Sequence, residues 1–427
     1  MNRQTNVQKT AMIHSVSMIL VFAVICCQGR AFAEPQVGTY LGSGKLADGE
    51  KALNAMLKKN PDDDEARFSL GIVQFLQAVE QLGQSQHKYG LMHHRAGRIP
   101  FIRLPIPKND DPEELSYQQC RAIFSQFSKD LELAEATLAK VDTTDVKLPI
   151  HFGRIRLDLD GDGEATDEET FWRIFAVFNP GVNEAAGTTF RIGFDGGDVH
   201  WLRGYCHLLM TFCDVALAHD WQELFERCGH WAYPRVKTPH TFLADEGNVD
   251  IRGFEFRWIA DVIATIHLIN FPVEDPELMK SAHKHLQAMV AQSRASWTRI
   301  LSETDNDDEW LPNPKQTAVI PNVRVRQEMI DGWHEFLDES EALLRGEKLI
   351  PFWRGYREKR DEVFTQKRGV NLKRVFTEPR QFDLVMWVTG TGATPYLEEG
   401  ELTDFRTWDR LMRVFGGEFF GFAIWFN

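Results

Sequence analysis

Residues 276–301 read PELMKSAHKHLQAMVAQSRASWTRIL. Leu278, Ala282, Leu286, Met289, Val290, Ser293, Trp297 and Ile300 recur at three- and four-residue steps, which aligns them along one face of a helix. Asp275 offers an N-cap oxygen, and Pro276 suits a first turn, where its missing N–H is not needed. Working outward, the same periodicity predicts helices over 45–57, 64–82, 112–140, 198–220, 254–270, 325–345 and 349–366. Pro112, Glu113 and Glu114 suit the first turn of the third of these. Alternation of Phe190, Ile192 and Phe194 with Arg191 and Gly193 predicts a strand over 188–195, and 382–388 reads as another. Pro100, Pro105, Pro107 and Pro112 mark 99–113 as a connector. The aromatic run 419–426 is expected inside. The expected fold class is mainly α: a multi-helix body with a few short strands.

The chain has 427 residues, 43% of them hydrophobic, with 30 Phe and 12 Trp, enough to fill sizeable cores. A formal charge of -14 disfavours nucleic acid as a partner. Arg3 and Lys9, an apolar stretch over 11–27 and Ala31-Phe32-Ala33 have the layout of a signal peptide over 1–33. An uncleaved anchor is the rival reading. Val24 and Ile25 before Cys26 and Cys27 are bulky where a lipid-attachment signal needs small residues. Residues 1–33 carry three basic and no acidic groups, which leaves -17 on the remainder. No other segment is apolar for 18 residues, so no membrane contact is expected after cleavage. The expected location is periplasmic or secreted.

Export bears on Cys120, Cys206, Cys213 and Cys228. An even count in an oxidising compartment permits two disulfides. Cys206 and Cys213 lie two helical turns apart, about 10.5 Å, too far to pair with each other. Each would then pair with Cys120 or Cys228; four buried free thiols are the equally available alternative.

Residues 158–169 read DLDGDGEATDEE. Calcium needs six to eight oxygen ligands. Asp158, Asp160, Asp162, the carbonyl of Glu164, Thr166 and Glu169 stand at positions 1, 3, 5, 7, 9 and 12 of a twelve-residue loop, with Gly163 at the sharp turn. Four carboxylates around one point repel each other without a cation. The stretch resembles an EF-hand loop, and the resemblance implies one bound Ca2+. It departs from the family at Ala165, usually branched and apolar, and at Thr170, usually apolar. Pro149 and Ile155-Arg156-Leu157 indicate an extended lead-in rather than an entering helix. An exiting helix is expected over 167–178, burying Phe171, Ile174, Phe175 and Phe178. There is no sister loop, which points to a solitary, extracellular-type site. A solvated acidic turn is the bland reading.

Residues 53–82, with Pro61 between two helices and Leu70-Gly71 at a small-residue contact, resemble a single tetratricopeptide-type hairpin, without the further copies a solenoid needs. His200, Arg203, His207 and Asp214 share one helical stripe. His200 and His207 are about 10.5 Å apart, which suits an interhelical polar network better than a shared metal. Residues 303–309, ETDNDDE, read first as a solvated acidic loop; the alternatives are a cap on the preceding helix or a segment that reaches a cation with help from elsewhere. Residues 354–374 are locally basic and read as a solvated face or a partner for acidic segments.

Catalytic signatures fail. Gly42-Ser43-Gly44-Lys45 lacks the P-loop spacing, and Gly390-Thr391-Gly392 lacks a third glycine and a following helix. His334-Glu335 lacks a second histidine, and there is no nucleophile-elbow serine.

The division expected is signal peptide 1–33, helical region 34–145, loop and exiting helix 146–180, central helical region 181–310 and C-terminal region 311–427. The whole resembles exported bacterial proteins with one EF-hand-type loop in a mostly helical body, a resemblance that implies no activity. The expected function is calcium binding with a structural purpose. The alternatives are an extracytoplasmic hydrolase with a site near His200, His207 and Asp214, and a module that binds a protein partner through the helical hairpin.

Overall fold

A computed structural model describes residues 36–92, 104, 106–173, 184–243, 256–319, 324–355, 368–416, 419 and 423. The signal-peptide pattern over 1–33, Ile174, Phe175 and Phe178, much of the 99–113 connector, most of the basic stretch and most of the terminal aromatic run lie outside them.

The body is mainly helical. Helix α1 (Gln36–Ser43) leads into α2 (Leu46–Lys59) and α3 (Asp64–Lys88), with Asp63 capping α3 through the Ala66 N–H. The hairpin expected at 53–82 is present, but its apolar face is not open. A Cβ on Gly71 would lie 2.4 Å from Leu138 Cδ2, so Gly71 admits the next helix, α4 (Tyr117–Leu138), at close range.

Helix α4 starts at Tyr117, five residues later than Pro112 suggests. The Leu115 N–H donates to Arg235 and its carbonyl accepts from Lys237. That pairing keeps Leu115 extended, and a reciprocal Ser116–Gln119 capping box then opens the helix.

Strand β1 (Lys147–Ile150) pairs antiparallel with β2 (Ile192–Asp195), Leu148 opposite Phe194 and Ile150 opposite Ile192. The strand expected over 188–195 is therefore halved. Residues 184–189 form helix α5 (Glu184–Thr189), in which Thr188 and Thr189 hydroxyls bond back to the carbonyls of Glu184 and Ala185.

Helix α6 (Gly196–Leu217) follows β2 directly, then α7 (Gln222–Cys228), α8 (Phe256–Leu268), β3 (Asn270–Phe271) and α9 (Pro276–Ser302). Asp275 caps α9 through the Glu277 N–H, as its sequence predicts. Helices α6 and α9 pack along their length, and α4 lies against α6. Helix α10 (Gln327–Arg345) ends at Gly346, whose φ of +73° closes it.

The helix expected over 349–366 opens instead as strand β4 (Ile350–Pro351) and a short 3-10 turn at Trp353–Gly355. Strand β5 (Arg368–Val370) and helix α11 (Leu372–Thr377) come next. Of the strand expected over 382–388, only β6 (Phe382–Asp383) forms, paired with β3. Asp383 then caps helix α12 (Leu384–Val388) through the Met386 N–H and turns the rest helical. Strand β7 (Leu397–Glu399) joins β5, and α13 (Phe405–Val414) follows.

Two main cores result. One joins α1–α3, β1 and Ile155, Leu157 and Leu159 to the start of α6; the other joins α9, α10 and α13, with Trp297, Trp333 and Phe419 inside. Trp201 packs against both. All four described cysteines are free, so the disulfide reading gives way to thiols. Burial pushes Cys120 and Cys213 up to about 12 and raises Cys206 and Cys228 as well.

Candidate metal centre

The approach to the loop is extended, as expected. Arg156 bridges Thr170 antiparallel, the Leu157 N–H donates to Glu169 O, and the Phe171 N–H donates to Ile155 O at 2.9 Å. These bonds close the neck of residues 158–169. Leu157 and Leu159 are fully buried on either side of Asp158. A Cβ on Gly83 of α3 would sit 2.6 Å from Leu159 Cδ2, so that glycine makes room for the loop's anchor.

Inside the neck the acidic side chains fold back on the loop's own amides. Asp158 accepts from the N–H groups of Gly161 (2.8 Å) and Gly163 (3.1 Å). Asp160 accepts from Asp162 N–H and Asp162 from Glu164 N–H. Glu169 Oε1 accepts from Leu159 N–H at 2.7 Å, and Oε2 accepts from the Thr166 N–H and hydroxyl at 2.9 Å each. Gly161 and Gly163 take φ of +77° and +92°, which side chains disfavour.

Carboxylate oxygens of Asp158, Asp160 and Glu169 lie within 4.8 Å of one another. Asp162 stands outside that group, and the Thr166 hydroxyl is turned toward Glu169. Glu164 is exposed, its N–H on Asp162. The exiting helix expected over 167–178 departs from plan: Asp167–Glu169 is a 3-10 turn, Thr170 is extended in the bridge, and a helical turn begins only at Phe171. Phe171 packs edge-on against Phe152 with ring centroids 5.1 Å apart.

Glu169 is 1% exposed, a buried acid aimed at the loop's centre. Burial raises Asp160 from its ordinary value, with the charges of Glu169 and Asp162 adding to the rise. Glu80 of α3 accepts from the Asp158 N–H at 2.9 Å, and burial pushes its carboxyl up to about 7. Gln84 donates to the Asp158 carbonyl. Neither contact is legible in sequence, because nothing local ties position 80 to position 158. The all-oxygen donor set fits a hard divalent cation and not one that seeks thiolate or imidazole.

The acidic run 303–309 is not a solvated loop. Glu309 is buried, and carboxylate oxygens of Asp195, Glu303 and Glu309 lie within 4.8 Å of one another. Asp195 caps α6 through the Gly197 N–H, Glu303 ends α9, and Gln316 donates to Glu303. Lys147 pairs with Asp305 and Asp307, and Arg191 grips Asp308 through two bonds of 2.9 and 2.7 Å. Burial pushes Glu303 up to about 8 and Glu309 to about 7, with neighbouring carboxylates, Asp195 foremost, adding to the rise.

The stripe on α6 is an interhelical network. His200 bonds Gln292, Arg203 pairs with Glu135, and His207 meets His285 of α9.

No protein-family model matches this chain, and neither a curated protein nor a solved structure does.

Proposed function

We propose that residues 158–169 bind one calcium ion and that the ion clamps the loop between α3 and the strand-like neck, in a protein exported by its N-terminal segment. The observation that carries this reading is the convergence of Asp158, Asp160 and buried Glu169 on one point. Two left-handed glycines in the same loop support it. Asp158, Asp160 and Glu169 would hold the ion, which would neutralise their mutual repulsion. Thr166 holds Glu169 in place, and Glu80 and Gln84 fix the Asp158 backbone. A clamp suits the surroundings better than a switch, because Leu157 and Leu159 are buried on either side of the first ligand. The interaction-module reading loses support, since the hairpin face from Phe68 onward is buried under α4.

Calorimetric titration with calcium and with magnesium tests the proposal. The expected result is one calcium site of dissociation constant roughly 10⁻⁴–10⁻³ M, with weaker magnesium binding. At about 1 mM calcium and a constant near 0.1 mM, the gain in stability is about 1.4 kcal/mol. Glu169→Gln keeps an amide oxygen for the backbone donors and removes the charge. It is expected to abolish the calcium-dependent rise in melting temperature. The same rise in the variant would place the ion elsewhere, and no binding heat at all would end the proposal.

A further inference from the structure

His207 on α6 and His285 on α9 face each other across the central helix pair, Nδ1 to Nδ1, at 2.9 Å. Their rings are tilted by 35° with centroids 5.2 Å apart. A carboxylate stands behind each ring. Glu135 Oε1 lies 3.5 Å from His207 Nε2, and Asp214 Oδ2 lies 3.7 Å from His285 Nε2. Asp214 is 5% exposed, and its Oδ2 is buried without a hydrogen-bond partner. Arg203 pairs with Glu135 at 2.8 Å. The other groups bearing on the site are Ser281, bonded to Asp214, and the charges of Glu132 and Asp275.

Two imidazole nitrogens at hydrogen-bond distance have room for one proton between them. With none, two lone pairs oppose each other. With two, and with each Nε2 proton held toward the carboxylate behind it, both rings are cationic and two N–H groups collide. A half-buried setting magnifies either penalty. We propose that His207 and His285 form an acid-operated latch between α6 and α9: one proton shared by the Nδ1 atoms holds the helices together, and uptake of a second drives the rings apart.

The electrostatics agree. Burial and then the charge of the His207 ring, opposed by Glu135, bring His285 down to about 4. A group whose folded pKa lies below its free value leaves the closed form with fewer protons than the open one. Its contribution is present above pH 6.5 and is lost as pH falls through about 4.

The test is denaturant unfolding of the full chain from pH 8 to pH 4, wild type against His285→Asn, whose amide can reach the Nδ1 position without charging. Between pH 6.5 and pH 4 the wild-type unfolding constant is expected to rise about tenfold or more beyond that of the variant. Imidazole nitrogen NMR of the wild type is expected to show one ring neutral well below pH 6, and amide exchange around His207 should quicken as that ring titrates. Parallel unfolding profiles would overturn the latch. So would two imidazoles titrating independently near 6.5, a result that stands even if the variant fails to fold.

Discussion

Gly163 and Gly161 have the least choice of any residues in the loop. At φ +92° a Cβ on Gly163 would meet nothing within 4 Å, so the demand for glycine there is conformational and not steric. Gly163→Ala is expected to cost about 1–2 kcal/mol from backbone strain alone, read by urea denaturation without calcium. The clustering of the Asp158, Asp160 and Glu169 carboxylates was legible because their spacing is local. Asp162 was not separable from them by spacing; only the fold sets it apart. Glu80 and His285 escaped the sequence because each meets its partner across 78 positions. A carboxylate or imidazole on a helix carries no mark of such a contact.

Among the elements, α9 was readable end to end because Asp275 and Pro276 announce its start and its buried stripe keeps helical spacing throughout. Helix α4 was not, because Pro112, Glu113 and Glu114 imitate a helix start. The competing force is the pairing of Leu115 with Arg235 and Lys237, and Ser116 marks the real boundary. Ser116→Ala should lower stability by about 1 kcal/mol through loss of the cap, and thermal unfolding can measure it. A Gln119→Ala change should reproduce part of that loss if the reciprocal bond contributes. The strand over 382–388 was over-read because Asp383 caps the residues that follow it into a helix, and the one over 188–195 because its first residues close helix α5.

At the scale of the molecule, the mainly helical class followed from periodicity, but the meeting of the two cores did not. Trp201 touches both, and its ring stands 5.9 Å from that of Trp310. Beside them Asp195, Glu303 and Glu309 gather from β2, the end of α9 and the loop beyond. Glu303 and Glu309 have pKa values raised above 4.5, to about 8 and about 7. The folded chain therefore holds protons that the unfolded chain has released. Stability contributed by these groups is complete below pH 4.5, falls as pH rises and levels off above about 8. Glu303→Gln should flatten that decline by about 1–2 kcal/mol, a figure discounted for the solvent that still reaches the carboxyl. Chemical denaturation at pH 5, 7 and 9 would measure it.

The grip of Arg191 on Asp308 has a consequence in time. The two residues are 117 positions apart, and the neighbouring Gly193 N–H donates to Asp308 O. A tie of that span repays its closure entropy only after both flanking segments have taken shape. The short hairpins among α1–α3 have no such wait, so the seam between the halves is expected to close among the last events of folding. A growing chain would finish its amino-terminal half before the residues that fasten it to the rest had been made.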